Sequence, residues 1–584
     1  MVTYTENINS INHLLTDEIA NNIYHDFEPI FAKHGYEKSF PQQELLQKYN
    51  NHYLVYYFSA EYYTLKKDID KTIEQYELCF KQNPKCSDIW LSYAIALHKN
   101  NMLDKTLQVI NRGLKHHQNN VKLLNFYGVL LYQNKQLKEA YVIFGKIVKN
   151  LAEPEVYNNY AFSCSALGKY KKANAYYEKG LEILNSAIQR QISQNKLLNY
   201  DYLPKIKADT FDDYLKVNQI FKTVRDIQPF SYRHSKLRIG YVSGDFKNHV
   251  ASFFIKPLLQ YYDRSKFEVF CFSNLLVHDK TTEELMQIPD IGWIEIYNIK
   301  PEVVFQWIKQ LEIDILIDLS GHTAGNRLDV FALKPAPIQI TYLGYPNTTG
   351  LTTIDYRLCD KITDPEYTTQ KFTEQLIRLQ KCFICYSRDV DICPQYERSD
   401  MPNQPIIFAV TNKEQKYNKY TYRAWNRIIN AIPNSVLIIK DCDFQQLNLP
   451  TGRVIKMDFF MDNTEYLKMY DQIDVCLDTF PYSGTTTTCD TLLTSTPVIT
   501  FAMPNRHVSN VTNSILTNMG HKELVAHSID EYIKLAIDLG QDKQRIKTYK
   551  QILRKEFLEL MNPIKFMENY EKTLIDISLI ERIK

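Results

Sequence analysis

The chain has 584 residues, a length that predicts about three or four domains. It carries 69 basic and 67 acidic side chains, and this near balance gives no reason to expect nucleic acid or an anionic membrane as a partner. The 11 cysteines are scattered and the opening residues MVTYTENINS do not read as a signal peptide, so we expect reduced thiols in a cytoplasmic protein that could also be nuclear.

A repeat occupies the first third of the chain, after a helical segment predicted over residues 1–52. Small residues recur at spacings of 34, 34 and 33 positions, and each is followed at fixed distances by a second small or medium side chain and then by a large one. The three sets are Ala60, Ala94, Gly128 and Ala161; Thr72, Thr106, Ala140 and Ala173; and Tyr76, Ile110, Phe144 and Tyr177. This is the tetratricopeptide pattern, so residues 53–187 are predicted to form about four helical hairpins of an all-α solenoid.

The character of the sequence changes at Leu237, after a polar, partly helical connector over residues 188–236. Short apolar runs now alternate with helical patterns, which predicts parallel sheets with crossover helices. The runs are LRIGYVS (237–243), FEVFCFS (267–273), IDILIDLSG (313–321), PIQITYLG (337–344), PIIFAV (405–410), SVLIIK (435–440), IDVCLDTF (473–480) and TPVITF (496–501). A polar stretch near 386–404 divides them, so we predict two doubly wound α/β domains, 237–402 and 403–584, with a ligand cleft between them.

Three polar motifs follow strands of the first predicted α/β domain. GYVSGDFKNHVASFF (240–254) places His249 after a strand, where an imidazole can act as a general base or bond a sugar or phosphate. IDLSGHTAGNR (317–327) offers His322 and Thr323 beside backbone N–H groups, and LGYPNTTG (343–350) is a tight polar loop that could bind sugar hydroxyls or simply turn. Taken singly, each motif is better explained as a turn or a helix cap.

Two more motifs follow strands of the second predicted domain. FAVTNKEQKYNKYTYRAW (408–425) contains Asn412 and Lys416, and a lysine there could neutralise a diphosphate leaving group, or be one solvated lysine among several. In DTFPYSGTTTTCDTLL (478–493), Gly484 and the threonines 485–488 stand at a helix entrance, where N–H groups and hydroxyls suit a phosphate or merely cap the helix. Five such motifs together favour a cleft that binds a nucleotide-sugar-like anion.

Other chemistries find little support in the sequence. No Walker A motif and no GxGxxG after a strand is present, which disfavours phosphoryl transfer and NAD chemistry. We expect no cofactor and no metal, although Asp441-Cys442-Asp443 after a strand is an acidic pair to examine. Cys382 and Cys385 are expected to be packed core thiols, and no apolar run approaches the ~18 residues of a membrane span.

The sequence resembles the SPINDLY and O-GlcNAc transferase family of protein O-glycosyltransferases, in the repeat array and over nearly all of residues 237–560. The stretches that carry the resemblance are LRIGYVSGDF, NHVASFFI, DILIDLSGHTAGNRL, LKPAPIQITYLGYPNTTGLTTIDYRLCD, the Asn412–Lys416 pair and DVCLDTFPYSGTTTTCDTLL. The sequences GYPNTTG and DTFPYSGTTTTC resemble the SPINDLY branch more closely than the animal O-GlcNAc transferases. The resemblance implies a GT-B fold after the solenoid, and an inverting, metal-independent transfer of a sugar to Ser or Thr of intracellular proteins.

The resemblance also implies roles for individual residues. Lys416 falls on the family lysine that stabilises the diphosphate leaving group, and His249 falls on a histidine near the sugar that has been proposed as the base. The implied donor-binding positions are Asn412, Tyr466 for stacking on the base, Gly484, Thr485, Thr486 and Thr487 for the diphosphate, Asp490 for the ribose, and His322 and Thr323 in the sugar-side loop. In this family the repeat groove holds acceptor proteins through asparagines, and Asn125, Asn158 and Asn159 are candidates, although ordinary solvent-facing asparagines are the simpler account of each.

Several alternatives stay open at this point. The expected donor is UDP-GlcNAc, with GDP-fucose, as in the plant SPINDLY branch, as the alternative. The base could be Asp245, His249 or His322, which spacing does not rank. A catalytically inactive tetratricopeptide adaptor is the remaining alternative, because Ala409-Val410-Thr411 departs from the family's strand end and the stretch 441–453 is short.

Overall fold

The structure is a computed structural model, and it describes residues 18–32, 42–82, 86–183, 186–204, 210–224, 234–388, 404–440, 447–450, 452–457 and 462–583. The chain divides into two compact units. One comprises Met1–Leu167 with Ala175–Ile183, and the other comprises Gly168–Asn174 with Leu184–Lys584. The stretch Asp441-Cys442-Asp443 and most of the short segment 441–453 lie outside the described residues.

Antiparallel helical hairpins make up the first part of the chain. The helices are α1 Glu18–Ala32, α2 Gln42–Lys48, α3 Tyr53–Leu65, α4 Ile69–Gln82, α5 Ser87–Lys99, α6 Leu103–His116, α7 Val121–Gln133, α8 Leu137–Ile147, α9 Pro154–Ala166 and α10 Tyr170–Glu182. Helix α3 packs against α4, α5 against α6 and α7 against α8, as the repeat pattern predicts.

The repeat positions do the packing that the tetratricopeptide pattern assigns to them. Ala60, Ala94 and Ala161 are fully buried, and so is the large residue Phe144. At Gly128 a Cβ atom would lie 2.7 Å from the Phe144 ring, so a glycine lets this ring fill the space between α7 and α8. The predicted α-solenoid is confirmed.

The asparagines of the array are not solvent-facing, so that simpler account is wrong. Asn158 and Asn159 are fully buried and Asn125 is nearly so. The Asn159 amide donates to Asn125 Oδ1 at 3.0 Å, and the Asn125 amide donates to Glu155 Oε1 at 3.3 Å, which joins α7 to α9 through side-chain amides. Burial forces such groups to find partners.

The next part of the chain forms a connector and a seven-stranded sheet. Its helices are α11 Ser186–Asp201, α12 Thr210–Leu215, α13 Val217–Ile220, α14 Ser252–Gln260, α15 Lys280–Met286, α16 Pro301–Gln310 and α17 Leu328–Phe331. Its strands are β1 Leu237–Ser243, β2 Phe267–Ser273, β3 Ile291–Glu295, β4 Ile315–Asp318, β5 Ile338–Thr341, β6 Tyr356–Asp360 and β7 Gln375–Leu379. All neighbours are parallel, in the order β3-β2-β1-β4-β5-β6-β7.

The last part forms a second parallel sheet with its own crossover helices. The strands are β8 Ile406–Val410, β9 Ser435–Lys440, β10 Val454–Met457, β11 Val475–Leu477, β12 Val498–Phe501 and β13 Val525–Ala526, in the order β10-β9-β8-β11-β12-β13. The helices are α18 Lys419–Ala431, α19 Asn463–Lys468, α20 Thr486–Leu493, α21 His507–Met519, α22 Ile529–Gln541, α23 Lys543–Leu560 and α24 Pro563–Ile583. Helix α24 returns to the first sheet, where the Tyr570 and Tyr241 hydroxyls bond at 3.2 Å.

The two sheets confirm the predicted doubly wound α/β layers, while the predicted boundaries at residues 52, 187, 236 and 402 remain predictions. Cys382 and Cys385 are buried free thiols, and burial raises the pKa of each to about 12, as expected of packed core cysteines. Within the described part of the chain, no helix combines the length and the apolar character that a bilayer span requires.

Candidate functional site

Four of the five polar motifs begin where the strand order of a sheet reverses. In the first sheet this reversal lies between β1 and β4, and in the second it lies between β8 and β11. Open parallel sheets bind their ligands outside the carboxyl ends of the strands at this point. The loops that follow β1, β4, β8 and β11 carry His249, His322, Lys416 and the 484–488 run respectively.

Asp478 follows β11 and fixes the loop that leads into α20. Its Oδ1 accepts bonds from the backbone N–H groups of Thr479 and Gly484, at 2.8 and 2.7 Å, and from Asn412 Nδ2 at 3.0 Å. Its Oδ2 accepts a bond from the Thr500 hydroxyl at 2.8 Å. The side chain is buried, and a buried carboxylate needs such donors. This one carboxylate therefore joins the end of β8 to the loop after β11.

The entrance of α20 gathers backbone N–H groups and hydroxyls. Thr485 precedes the helix and its side chain makes no capping bond, while threonines 485–487 are partly exposed. Thr488 is buried and shares a 2.8 Å bond with the Thr512 hydroxyl. A Cβ at Gly484 would lie 2.3 Å from Thr488 Oγ1, so a side chain there would disturb the turn. The positive end of a helix dipole beside these groups suits a phosphate.

Lys416 reaches the same loop from the end of β8. It ends the short 3₁₀ turn Glu414–Lys416, and its Nζ donates to the Ser483 carbonyl at 2.7 Å and lies 4.1 Å from the centre of the Tyr482 ring. Burial lowers the pKa of Lys416 to about 8, against the opposing effect of Asp478. A partly desolvated ammonium next to a helix N-terminus can stabilise the charge of a diphosphate.

Asp490 lies one turn into α20, in a buried cluster. The Tyr386 hydroxyl and the Arg388 guanidinium both donate to its Oδ1. Burial raises the pKa of Asp490, and Arg388 opposes this. Tyr466, from α19, lies beside the cluster, and its hydroxyl shares a 3.0 Å bond with that of Tyr470. The residues predicted for ribose and base are thus adjacent.

In the first half of the site, Asp245 and His249 form a pair beyond β1. Asp245 Oδ1 lies 3.5 Å from His249 Nδ1, and that nitrogen also accepts the Ala251 N–H at 3.3 Å. Burial lowers the pKa of His249, Asp245 acts against this shift, and Lys413, which follows β8, adds to it. Lys413 therefore lies close enough to His249 for its charge to act on the imidazole.

His322 and Thr323 both make hydrogen bonds to backbone carbonyls of the protein. The His322 ring is 2% exposed, its Nε2 lies 2.8 Å from the Thr349 carbonyl, and burial lowers its pKa to about 4, so the ring is neutral. Thr323 is partly buried and donates to the Ser320 carbonyl at 2.7 Å. Both residues organise the loop after β4, and Asp318 anchors it through the Gly321 N–H at 2.9 Å.

The polar loop 343–350 is a turn whose side chains are satisfied internally. Thr348 and Thr349 are fully buried and donate through their hydroxyls to the Glu374 carboxylate. Arg357 of β6 donates to the Tyr345 carbonyl at 2.9 Å and to the Asn347 carbonyl at 2.8 Å. Of the two interpretations open for this motif, the geometry favours the turn.

The sequence profile described as "Glycosyl transferase family 41" matches residues 215–389 and 387–566, more than half of the chain. The chain belongs to glycosyltransferase family 41. The resemblance found in the motifs is therefore confirmed at the level of the family.

Curated relatives of this family 41 chain include a plant protein named probable UDP-N-acetylglucosamine--peptide N-acetylglucosaminyltransferase SPINDLY. The Arabidopsis thaliana SPINDLY is 34% identical over 399 residues, 62% of this chain and 42% of the relative. The Oryza sativa SPINDLY is 36% identical over 423 residues, 68% of this chain and 45% of the relative. The chain thus spans less than half the length of these relatives.

A solved structure supports the fold of the family 41 chain. An O-GlcNAc transferase mutant of Thermobaculum terrenum superposes with a TM-score of 0.77 at 24% identity, and covers 85% of this chain and 98% of its own. This likeness confirms the predicted architecture, a tetratricopeptide solenoid followed by two α/β domains of the GT-B type.

The structure brings most of the predicted donor residues of the family 41 chain into the second half of the cleft. The set at the β8 and β11 switch point is Asn412, Lys416, Gly484, Thr485, Thr486, Thr487, Asp490 and, beside them, Tyr466. His249 lies in the loop after β1, and His322 and Thr323 lie in the loop after the neighbouring strand β4. Their contacts with a donor remain predictions.

Two buried side chains of the site were not singled out from the sequence. Asp478 stands inside the quoted DTFPYSG stretch, and an acid directly after a central strand and before a turn is a signal that could have revealed it. Arg388 gave no such signal, because its partner Asp490 is 102 positions away. Among the described residues no group of His, Cys, Asp and Glu side chains is arranged to hold a metal ion.

Proposed function

We propose that this family 41 chain is an inverting, metal-independent glycosyltransferase that moves GlcNAc from UDP-GlcNAc to Ser or Thr hydroxyls of proteins. The observation that carries the proposal is the meeting of Lys416 with the Ser483 carbonyl at 2.7 Å, in the loop that leads into the threonine-rich start of α20. The names of the relatives, which state UDP-GlcNAc and peptide, support this donor and this acceptor class.

The proposed reaction is a single displacement at the anomeric carbon. The acceptor oxygen attacks C1 of the sugar while the bond from C1 to the β-phosphate oxygen breaks, and the configuration inverts. UDP leaves with the electron pair of that bond, and its growing charge would be stabilised by the Lys416 ammonium and by the N–H groups at the start of α20. A bound diphosphate would in turn hold Lys416 protonated.

The hydroxyl proton must go to a base on the facing side. His322 Nε2 donates to the Thr349 carbonyl, and its Nδ1, which has no partner among the described residues, belongs to a ring that is only 2% exposed, so we assign this ring no part in proton removal. A neutral His249 that accepts the Ala251 N–H on Nδ1 would carry its proton on Nε2 and act there as a donor. We therefore assign proton removal to Asp245, because burial raises the pKa of this carboxyl group. We assign the orientation of the sugar or the acceptor to His249.

Protein acceptors are proposed to bind in the groove of the repeat array. The bond between the buried amides of Asn159 and Asn125 joins successive repeats, which supports an array that keeps its shape when an acceptor binds. The cysteines of the described residues are free thiols, which supports a reducing, cytoplasmic setting.

Thermal unfolding with UDP, GDP, UDP-GlcNAc and GDP-fucose tests the proposed donor. Saturation at ~100 times the dissociation constant adds roughly 2.7 kcal/mol to the free energy of unfolding, a visible shift of the midpoint. A shift with the uridine ligands alone is the expected result. A shift with the guanosine ligands alone would identify GDP-fucose as the donor instead. No shift with any of the four ligands would favour the catalytically inactive adaptor.

A pair of lysine variants tests the transfer step. Lys416→Ala should reduce transfer of labelled GlcNAc to proteins of an extract by more than about a hundredfold, the usual effect of deleting one group that stabilises a developing charge. Lys419→Ala is the matched control, because Lys419 is an exposed lysine of the same run. Equal transfer by the two variants would contradict the role of Lys416.

A further inference from the structure

Arg388 is a buried arginine that the proposed chemistry leaves without a role. Its side chain is 5% exposed and its partner Asp490 is 4% exposed. Nη1 donates to Asp490 Oδ1, and Nη2 donates to Asn463 Oδ1 at 2.8 Å. The guanidinium also lies 5.7 Å from the centre of the Tyr466 ring and 4.9 Å from that of Phe253. Arg388 therefore touches residues of both halves of the cleft.

A buried ion pair of this kind needs an explanation other than stability. Removing two charges from water costs about as much as their attraction returns, so such pairs are often neutral for folding. Here the two donors converge on one oxygen, because the Tyr386 hydroxyl also donates to Asp490 Oδ1, at 2.5 Å. Two donors on Oδ1 fix the rotation of the carboxyl group and hence the direction of Oδ2.

We propose that Arg388 is a positioning residue of the donor site, which keeps the Asp490 carboxylate charged and oriented so that Oδ2 accepts a hydrogen bond from a ribose hydroxyl of a nucleoside diphosphate. This inference rests on the proposed function, since it requires a nucleotide in the cleft. The cation over the Tyr466 ring adds a second constraint, because it restrains the ring predicted to stack on the base.

The electrostatics of the cluster agree with this role. Burial raises the pKa of Asp490, while Arg388, Tyr386 and, to a smaller extent, Tyr466 oppose that shift. Without the guanidinium the carboxyl group would take up a proton at a higher pH and would offer a weaker acceptor to the ribose. The effect of Arg388 should therefore depend on whether the ligand has ribose hydroxyls.

Calorimetric titration of four proteins with two ligand pairs measures this dependence. The proteins are the full chain and its Arg388→Gln, Arg388→Lys and Arg427→Gln variants, and the ligands are UDP with 2′,3′-dideoxy-UDP and GDP with 2′,3′-dideoxy-GDP. Arg427 is the matched control, because it forms a surface pair with Asp530 in which the two side chains are 59% and 82% exposed. The Arg427→Gln variant should bind every ligand like the unchanged chain.

The expected result is a coupling between residue 388 and the ribose hydroxyls. Arg388→Gln should raise the dissociation constant of the preferred nucleotide about tenfold, as expected for losing one hydrogen bond to a charged group, and should change that of the dideoxy analogue less than about twofold. Arg388→Lys keeps the charge but not the planar fork, and should lie between the two.

Three results would overturn the inference, and they separate it from the proposed function. If Arg388→Gln weakens the ribose and dideoxy ligands equally, Arg388 is structural and the proposed function still stands. If the folded Arg388→Lys variant binds the nucleotides as weakly as Arg388→Gln, Arg388 is likewise structural and the proposed function still stands. If the unchanged chain binds none of the four ligands, the proposed function and the inference fail together.

Discussion

Substitution of Asp478 separates two things that this carboxylate does. It accepts three N–H groups on Oδ1, from Thr479, Gly484 and Asn412, and one hydroxyl on Oδ2. Its charge also raises the pKa of Lys416. Asp478→Asn removes the charge but leaves one acceptor oxygen, whereas Asp478→Ala removes both.

The bonds of Asp478 give the expected sizes of the two effects. The Thr479 and Gly484 backbone groups are donors only, so Asp478→Ala leaves two buried N–H groups and the buried Thr500 hydroxyl without their acceptor, while the Asn412 amide keeps its bond to Thr479 Oγ1. At about 1–3 kcal/mol for each stranded group, partly relieved by water, the loop should lose roughly 3–5 kcal/mol. In Asp478→Asn the oxygen can keep the N–H groups, and the hydroxyl of Thr500 can turn to accept from the new amide, so the loss should be about 1 kcal/mol.

Hydrogen exchange over residues 478–488 measures the first effect without assuming that a chain of several domains unfolds in one step. The protection of the Gly484 and Thr479 amides should fall strongly in Asp478→Ala and only slightly in Asp478→Asn. Both variants should lower the pKa of Lys416, and the alkaline fall of transfer should move to lower pH in each. Equal protection in the two variants would refute the reasoning from hydrogen bonds, and an unmoved alkaline limb would refute the electrostatic part.

Three further predictions follow from the site and the array. Transfer, measured as kcat/KM, should fall about tenfold per pH unit above pH about 8. Burial lowers the pKa of Lys416 to about 8, and only the protonated lysine can offset the charge of the leaving diphosphate. A flat profile up to pH about 10 would contradict this prediction. Gly484→Ala should weaken UDP binding by at least about tenfold in calorimetry, because the new Cβ would lie 2.3 Å from Thr488 Oγ1, and unchanged affinity would show that the turn is not needed. Gly128→Ala should reduce the exchange protection of α7 and α8 by about 1–3 kcal/mol through the clash with Phe144, and Phe144→Leu in the same chain should restore part of it; no rescue would rule out the clash as the cause.

The central strands could be predicted from the sequence, and the edge strands could not. The runs 237–243, 267–273 and 435–440 coincide with β1, β2 and β9. The strands that were missed include β3, β7, β10 and β13, which are the four edges of the two sheets. An edge strand is covered on fewer sides, so it needs no continuous apolar run, as the partly exposed residues of β3, β7 and β10 illustrate.

The remaining strand that was not predicted is β6, because charged residues with structural roles interrupt its apolar pattern. Its five residues are buried, yet they include Arg357 and Asp360. Arg357 holds two carbonyls of the 343–350 loop, and Asp360 accepts the Phe383 N–H at 2.9 Å. A strand that satisfies neighbouring loops carries charged residues inside, and hydropathy alone does not distinguish these from surface residues.

The site was predictable where its residues share one stretch of sequence, and not where they come from distant ones. The threonine run after Gly484 indicates the N-terminus of a helix, because the residues that cap a helix are close to it in the sequence. The surroundings of Asp490 are set by Arg388 and Tyr386, which precede it by about a hundred positions, and no local pattern records that pairing. The burial of His322 is of the same kind, since Thr349 belongs to another loop.

The alignment of the two switch points depends on a buried polar seam between the two sheets. Asp360, at the end of β6, accepts the Ser514 hydroxyl of α21 at 2.6 Å, and Asp364 pairs with His507, the first residue of α21, at 2.6 Å. All four side chains are nearly inaccessible to water. Apolar contacts tolerate sliding, whereas buried hydrogen bonds are lost by a shift of about one ångström. This seam therefore fixes the register of α21 on the first sheet, and with it the face that α20 presents to His249.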